Sequence, residues 1–240
     1  MSDPIWVGSL DDIRHGEAAL AAIKEQSDVD RWVDGQGIIQ VDRNRWEAAQ
    51  KFERQGWMNA WASDSDDRSR EHHQLFDGYN AVPPNLGNIL EVGCGPFTQT
   101  RTILSARSAT SITLQDPLIN DYLHHRHCSY TNRRLHDIPV TLVPMMLEYF
   151  TPPEEFDTVV CINVLEHTMD VKVCLQHMLA ALKPGGILIF GERIYDDFDP
   201  TRLYCIGHPI RICKAIVDEF KKNFRMLFER SDNGYFIGQR

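Results

Sequence analysis

The sequence predicts an α/β fold in which a mostly parallel β-sheet is flanked by helices. From about residue 85 onward, short β-branched runs alternate with segments of helical periodicity, as expected for parallel strands joined by crossover helices. Two of these runs, 88–92 and 156–162, are predicted to be buried strands. The chain has 240 residues, or roughly one and a half domains of about 150 residues. We therefore expect an N-terminal helical extension over 1–85 and the α/β core over 86–240.

The elements of the core follow from local patterns along the chain. Strands are predicted at 88–92, 111–116, 140–143, 156–162 and 187–192. Helices are predicted at 98–105 with Thr98 as the cap, and at 119–127, 170–182 and 212–223. The run Lys183-Pro184-Gly185-Gly186 ends the third helix because proline and glycine both break helices. Segments 224–229 and 234–238 are predicted to pair as a closing hairpin.

The region before the core is polar and is predicted to hold two or three helices. Residues recur at helical spacing at Trp46, Ala49, Glu53, Trp57 and Ala60. Gly56 lies within this run, and glycine costs about 1 kcal/mol relative to alanine inside a helix. We therefore expect the helix to be interrupted there.

Composition restricts the partners of the chain. Lys and Arg total 25 while Asp and Glu total 34, which gives a formal net charge of −9. Nucleic acid binding requires clustered positive charge, so no nucleic acid partner is expected. A helix needs about 20 apolar residues to span a bilayer, and no apolar run approaches this length. The first residues lack a secretory signal. The six cysteines form no C-x-x-C pair. We expect a cytoplasmic monomer or homodimer with reduced thiols and no membrane partner.

The most informative stretch is Ile-Leu-Glu-Val-Gly-Cys-Gly-Pro-Phe at 89–97, where a strand ends, two glycines turn and a helix begins. Glycine lets the backbone approach a ligand closely and take positive φ. A dinucleotide-binding turn would place a third glycine at residue 98, but this chain has Thr98, which disfavours a dinucleotide. Asp116 ends the next strand, where a carboxylate is able to accept both hydroxyls of a ribose.

Three further segments follow this turn in order. They are Phe156-Asp157-Thr158-Val159-Val160, Asn163-Val164-Leu165-Glu166-His167 and Leu182-Lys183-Pro184-Gly185-Gly186-Ile187-Leu188. Together with the glycine turn they resemble the class I S-adenosylmethionine-dependent methyltransferases of the small-molecule type. The resemblance covers residues 87–192 and extends over the final helix and hairpin. The resemblance implies a Rossmann-like, seven-stranded, mostly parallel sheet with one antiparallel strand near the C-terminal edge. It also implies S-adenosyl-L-methionine as the cofactor.

The resemblance further implies which residues contact the cofactor. They are Glu91, Gly93, Cys94 and Gly95 at the methionine and ribose end, Asp116 at the ribose hydroxyls, Pro117, Leu118, Met146 and Leu147 around the adenine, and Asn163, Val164 and Leu165 under the methionyl part. Ligands of open α/β sheets bind at the carboxyl ends of the strands, which agrees with this placement. The chain departs from the family at Phe97, where a third glycine is frequent, and at Met146, near which an acidic residue often contacts the adenine amine.

Two histidines are candidates for a catalytic base. His167 follows the fourth strand, and His208 lies in the segment that often covers the substrate in this fold. A histidine pKa suits the removal of a proton from a hydroxyl. The alternatives are a structural loop histidine at 167 and a turn set by Gly207 and Pro209. Arg211 would hold an anionic substrate group or cap a neighbouring element.

Trp57 and Trp61 lie one helical turn apart ahead of the core. An N-terminal helix often closes over cofactor and substrate in this superfamily, so these rings would line the substrate and contact the sulfonium by cation–π attraction. The alternative is the packing of an extra helix on the sheet. Glu53 shares their face of the helix and is a candidate for contact with the cofactor amine or the substrate.

No metal is predicted, although the sequence contains two groups of potential ligands. They are Asp196, Asp197 and Asp199 after the fifth strand, and His124, His125, His127 and Cys128. Clustered carboxylates bind magnesium, but Asn163 stands where metal-dependent relatives usually have aspartate, so a solvated acidic loop is favoured. Adjacent helical residues point in different directions, which favours an exposed polar helix for the histidines.

The predicted function is therefore methylation of a small-molecule acceptor, with a hydroxyl oxygen favoured. A sugar or natural product suits the abundance of Trp, Asp and Asn, and the negative charge favours a neutral or cationic acceptor. The alternatives are an N- or C-methyltransferase acting on a metabolite, or a non-catalytic cofactor-binding partner of another enzyme.

Overall fold

The computed structural model describes residues 32–33, 35–58, 67–152, 156–196, 206–230 and 234–240. Their helices are α1 (Arg43–Met58), α2 (Ser69–Leu75), α3 (Thr100–Ile103), α4 (Ile119–Tyr122), α5 (Val171–Ala181) and α6 (Lys214–Lys221). Their strands are β1 (Gly37–Ile38), β2 (Asn88–Val92), β3 (Ser111–Gln115), β4 (Arg134–Leu135), β5 (Ile138–Val143), β6 (Phe156–Ile162), β7 (Leu182–Glu192), β8 (Arg211–Ile212), β9 (Arg225–Glu229) and β10 (Gly234–Gln239).

An eight-stranded sheet with the order β4-β5-β3-β2-β6-β7-β10-β9 forms the centre of the fold. Strands β5, β3, β2, β6 and β7 pair in parallel, and β10 is antiparallel to both β7 and β9. The predicted mostly parallel α/β sheet is confirmed. It has eight strands rather than seven because the two-residue β4 pairs with the edge strand β5.

Both faces of the parallel strands are buried, which is why their sequences are so apolar. Successive residues of β6 belong to different apolar clusters: Val159 and Cys161 to one, Val160 and Ile162 to the other. Side chains alternate across a strand, so the two clusters cover opposite faces of the sheet. Helix α5 packs into the first cluster through Val171.

Several predicted element bounds were wrong because long-range contacts decide them. The last helix begins at Lys214 rather than 212 because Arg211–Ile212 pair with β1. The helix predicted at 119–127 ends at Tyr122. The helix predicted at 98–105 begins at Thr100. Helix α1 continues through Gly56, which is buried, and this burial offsets the low helix propensity of glycine.

Other sequence predictions were confirmed. Strands β2 and β6 have the predicted bounds, and β9 and β10 form the closing hairpin. Asp170 caps α5 by accepting from the Val173 N–H at 3.1 Å. None of the described helices is long and apolar enough to cross a membrane. The described cysteines are free and buried, while Cys205 and Ala60 lie outside the described residues.

Candidate active site

The glycine turn after β2 is an open cradle at the carboxyl end of the sheet. Gly93 and Gly95 have φ of 58° and 54°, a region that favours glycine. A Cβ on Gly93 would lie 2.5 Å from a methyl carbon of Val164, whereas a Cβ on Gly95 would meet nothing within 4 Å. The space over Gly95 is therefore available to a ligand, while Gly93 is needed for packing.

This difference predicts a graded response to alanine substitution at the two glycines. Gly93→Ala is expected to destabilise the fold and weaken cofactor binding, since it adds both backbone strain and a steric overlap with Val164. Gly95→Ala is expected to cost stability only through the strained φ, about 1–2 kcal/mol. Thermal unfolding of both variants checks this, and an equal or larger loss for Gly95→Ala would contradict the assignment.

Glu91 shapes the turn from beneath instead of reaching into it. Its Oε1 accepts from the Gln99 N–H at 2.8 Å, and its Oε2 accepts from the Thr100 N–H at 3.0 Å and from the Thr98 hydroxyl. Burial raises the pKa of this carboxyl. The Thr98 hydroxyl therefore donates to Glu91, and its oxygen accepts from the Thr100 N–H. Helix α3 starts at Thr100, two residues later than predicted.

Two residues that sequence reasoning missed also position the turn. Gln115 accepts from the Gly93 N–H with its side chain at 3.3 Å and from the Cys94 N–H with its carbonyl at 3.1 Å. The Tyr130 hydroxyl donates to the Gly95 carbonyl at 2.8 Å and lies 3.6 Å from the Cys94 sulfur. The Cys94 side chain is buried in the second apolar cluster, so it helps to support the turn from the core side.

Asp116 follows β3 and lies against the glycine turn. Its Oδ2 accepts from the Gly95 N–H at 3.1 Å, and its Oδ1 accepts from the Leu118 N–H at 2.8 Å. An ionised carboxylate has about four acceptor positions, so two remain for a pair of hydroxyls. The side chain is buried, which raises the pKa of Asp116 to about 6. Pro117 and Leu118 are half-buried beside it.

The segment after β5 places its two predicted adenine contacts in the core. Met146 and Leu147 are buried in the first apolar cluster, whereas Met145 is 41% exposed. The only acidic residue nearby in sequence, Glu148, accepts from the Met169 and Asp170 N–H groups. Glu148 therefore holds the loop before α5.

The loop after β6 is strained and anchored by a carboxylate of the neighbouring strand. Asn163 has φ of 59°, and such strain in a non-glycine residue is often found at functional sites. Glu192, at the end of β7, accepts from the Val164 N–H at 2.8 Å and from the Leu165 N–H at 2.9 Å. Burial raises the pKa of Glu192 to about 8. Sequence reasoning missed this anchor, although a carboxylate at the end of an apolar strand was a visible signal.

Four polar side chains from distant parts of the chain converge beside this loop. We call Glu53, Glu166, His167 and His208 the His–Glu cluster. The two imidazole rings are 4.7 Å apart between centroids, at 79°. Glu53 Oε1 lies 3.6 Å from His167 Nδ1 and 3.9 Å from His208 Nε2. The two histidines that the sequence singled out as rivals are therefore neighbours in one site.

The electrostatics of the His–Glu cluster keep its members in different charge states. Burial opposes ionisation of Glu166. The attraction of His208 and His167 and a hydrogen bond from the Tyr195 hydroxyl at 2.7 Å together outweigh this effect. They lower the pKa of Glu166 to about 2. Burial lowers the pKa of His208 to about 3. Burial also tends to lower the pKa of His167, but the negative charges of Glu53 and Glu166 have a larger effect. The pKa of His167 is therefore raised.

Helix α1 lies across the loops that carry these groups. The side chains of Trp46 and Gln50 donate to the His167 carbonyl at 3.1 and 3.0 Å. Trp57 meets Phe97, on the glycine turn, edge to face with ring centroids 5.9 Å apart, and Tyr122 at 6.4 Å. The helix thus spans the glycine turn, the loop after β3 and the loop after β6. Trp61 lies outside the described residues.

Arg211 and Asp196, two further residues that the sequence singled out, contact neighbouring parts of the fold. Arg211 is buried, with its guanidinium carbon 5.2 Å from the centre of the Tyr195 ring. Asp196 accepts from the Lys214 N–H at 2.7 Å at the start of α6, whereas Asp197 and Asp199 lie outside the described residues.

The exposed polar helix expected around 124–128 was wrong, because the helix ends at Tyr122 and both His125 and Cys128 are buried. His124 is exposed, but His125 is buried and packs edge to face against Phe97, 5.6 Å away. The aromatic contact keeps His125 beneath α1.

A doubly wound sheet with a glycine turn after β2 and a carboxylate after β3 is the arrangement of Rossmann-like methyltransferases. The chain matches the methyltransferase domain family over residues 35–237 and belongs to that family. The chain therefore carries a methyltransferase domain, which confirms the family that the sequence predicts.

Solved structures with the same fold have low sequence identity. They include the N-methyltransferase NodS from Bradyrhizobium japonicum WM9, in complex with S-adenosyl-L-homocysteine (20% identity, TM-score 0.57, covering 82% of this chain and 98% of that chain). They also include the DhpI-SAM-HEP complex (16%, 0.58, 83% and 99%) and a 1,6-didemethyltoxoflavin-N1-methyltransferase from Burkholderia thailandensis (14%, 0.55, 83% and 91%).

Curated relatives match about half of the chain. The highly reducing polyketide synthase valA of Aspergillus terreus is 34% identical over 139 residues, which are 52% of this chain and 5% of that protein. The tRNA U34 carboxymethyltransferase of Campylobacter concisus is 29% identical over 130 residues, which are 52% of this chain and 43% of that protein. The chain thus spans less than half the length of each of these two relatives.

Proposed function

We propose that this chain methylates a hydroxyl group of a small molecule, with the cofactor at the glycine turn and the acceptor at the His–Glu cluster. The observation that carries this proposal is the convergence of the two groups. Asp116 accepts from the Gly95 N–H of the glycine turn at 3.1 Å. Helix α1 contacts this turn through Trp57, whose ring centroid lies 5.9 Å from that of Phe97, and the cluster through Glu53, whose Oε1 lies 3.6 Å from His167 Nδ1. A binding carboxylate and a proton-handling cluster therefore share one end of the sheet.

The described residues fit S-adenosylmethionine at the first of these places. Two free acceptor positions on Asp116 suit the ribose hydroxyls, and the open space over Gly95 suits close approach of the ligand. When bound, the cofactor supplies an electrophilic methyl group on a positively charged sulfur. We place Asn163, Val164 and Leu165 under its methionyl part. Pro117 and Leu118 would lie beside its adenine, with the backbone of Met146 and Leu147, whose side chains are buried.

Helix α1 would close the site over both ligands. We propose that the segment before residue 86 acts as a lid on the 86–240 core, with Trp57 lining the substrate. Its edge contacts with Phe97 and Tyr122 support this role, because they place an aromatic ring on the loops that would hold the cofactor. A closed lid excludes water and holds the acceptor in line with the methyl carbon, and such positioning lowers the barrier to transfer.

The acceptor hydroxyl would lie against His167 and His208. Its oxygen would accept the methyl group that the cofactor supplies when bound, and its proton would leave through the His–Glu cluster. Arg211 would act through Tyr195 and Glu166 on this cluster, or hold an anionic group of the substrate. The net charge of −9 supports a neutral or cationic small molecule over nucleic acid, and we propose no membrane partner and a monomer or homodimer.

Release of S-adenosylhomocysteine across matched hydroxyl, amine and sugar acceptors tests this function. We expect turnover with a hydroxyl acceptor and none with the analogue that lacks this hydroxyl. Turnover confined to amine or carbon acceptors would replace O-methylation by N- or C-methylation. Cofactor binding without turnover on any acceptor would favour a non-catalytic binding partner.

A further inference from the structure

We infer that Glu53, His167 and His208 bind a divalent transition-metal ion, an inference that rests on the proposed function of this site. Each side chain offers one ligand atom, and these atoms all lie within 4.8 Å of one another. Among the residues that the structure describes, these three form the group of His, Cys, Asp or Glu side chains whose ligand atoms lie close enough to share one metal ion. The residues come from α1, from the loop after β6 and from the segment before β8.

The geometry of these three side chains is close to that of an occupied site. In a tetrahedral site with bonds of about 2.1 Å, neighbouring ligand atoms are about 3.4 Å apart. Glu53 Oε1 and His208 Nε2 are 3.9 Å apart, so a small inward movement brings them to this spacing. The two histidine rings meet at 79° and so do not stack face to face.

The chemistry of the ligands selects the type of ion. Two imidazoles and one carboxylate suit zinc, iron and related transition metals. Magnesium and calcium prefer sites made of oxygen ligands. A first-row transition metal is therefore the ion that this set of ligands fits.

The surroundings orient the ligands and supply further charge. The Gly207 carbonyl lies 3.1 Å from His167 Nδ1, and a backbone contact of this kind commonly orients metal-binding histidines. Glu166 Oε1 lies 3.5 Å from His208 Nε2 and 3.7 Å from His167 Nε2. Tyr195 fixes the other oxygen of Glu166. A second carboxylate thus stands next to the ligands and offsets the charge of a divalent ion.

A metal here would define the substrate class more narrowly than the fold does. Three protein ligands leave coordination positions open for substrate. An acceptor with two neighbouring oxygen donors would occupy them, and the ion would lower the pKa of the bound hydroxyl as it does for bound water. The released proton would leave by way of Glu166, the member of the His–Glu cluster that is not one of the three ligands. The predicted acceptors are therefore vicinal diols, catechols or hydroxy acids.

Metal titration of the full chain tests this site directly. After treatment with a chelator, the protein is titrated with Zn²⁺ in a calorimeter and with Co²⁺ while visible absorption is recorded. We expect one equivalent to bind. Glu53→Gln and His208→Asn should each weaken binding by about 100-fold or more, since even an outer-shell partner of a metal ligand is worth about 10–100-fold.

Matched controls separate this site from adventitious binding and from misfolding. Glu47→Gln on the exposed side of α1 and His124→Asn at an exposed position should bind both ions as the wild type does. Each variant is checked for S-adenosylhomocysteine binding, which does not require the ion. Absence of stoichiometric binding, or equal binding by Glu53→Gln and His208→Asn, would overturn the inference. Neither result would affect the proposed methyl transfer, which the acceptor screen tests separately.

Discussion

Asp116→Asn is expected to lower the affinity for S-adenosylhomocysteine by about 10–100-fold. A hydrogen bond to a charged group contributes about 1.5–3 kcal/mol, and each 1.4 kcal/mol is a tenfold change in affinity. The amide retains one oxygen, which is able to accept from the Leu118 N–H, but its NH2 group cannot accept from the Gly95 N–H, so the loss includes this contact with the glycine turn. Calorimetric titration measures the loss, and an affinity within about threefold of the wild type would remove Asp116 from the cofactor site.

The pKa of Asp116 determines how we expect cofactor affinity to depend on pH. Burial raises the pKa of Asp116 to about 6, so the free protein loses the accepting carboxylate as the pH falls through this value. Affinity should therefore be full at pH 7–8 and decline below pH 6, by about tenfold per pH unit at most. His167, Glu53, Cys94, Tyr122 and Tyr130 are the titratable groups around it. Asp116→Asn is the control, because its weaker affinity should not change over this range.

Replacing a histidine of the His–Glu cluster should affect turnover and spare cofactor binding. His208→Ala and His167→Ala are each expected to lower kcat by about 10²–10⁴-fold, the usual contribution of a group that assists proton removal. The affinity for S-adenosylhomocysteine should stay near normal, because neither imidazole touches the glycine turn or Asp116 through a hydrogen bond in the described structure. Single-turnover and steady-state rates measure the effect.

The exposed His124 provides the control for the histidine variants. His124→Ala should leave both kcat and cofactor affinity unchanged, since this side chain is exposed and belongs to neither the cluster nor the glycine turn. If His208→Ala and His167→Ala both turned over at the wild-type rate, the acceptor would not be handled by this cluster. The alternative, in which both histidines have only a structural role, would then be preferred.

The parallel core could be predicted from the sequence because its strands are buried on both faces. Strands of this kind have a local signature, and β6 was predicted with the bounds that it has. The two-residue strands β1, β4 and β8 have no such signature, since only their pairing partners define them. The pairing of Arg211–Ile212 with β1 also explains why the start of α6 was predicted too early.

The cofactor end of the candidate site was also visible in the sequence, whereas the acceptor end was not. Gly93, Gly95 and Asp116 lie at the ends of neighbouring strands, so their order along the chain indicates their proximity. Glu53 and His167 are separated by 114 positions, and only the crossing of α1 over the loop after β6 brings them together. Glu91 was predicted to line the cofactor, but its two carboxylate oxygens are occupied by the start of α3.

The most direct test of this account is the dissociation constant for S-adenosylhomocysteine, measured side by side for the wild type, Asp116→Asn and His208→Ala. The account predicts that His208→Ala binds like the wild type and that Asp116→Asn binds about 10–100-fold more weakly. Such a result would separate the cofactor end of the site from the acceptor end. No binding by the wild type, or a loss in His208→Ala as large as that in Asp116→Asn, would contradict it.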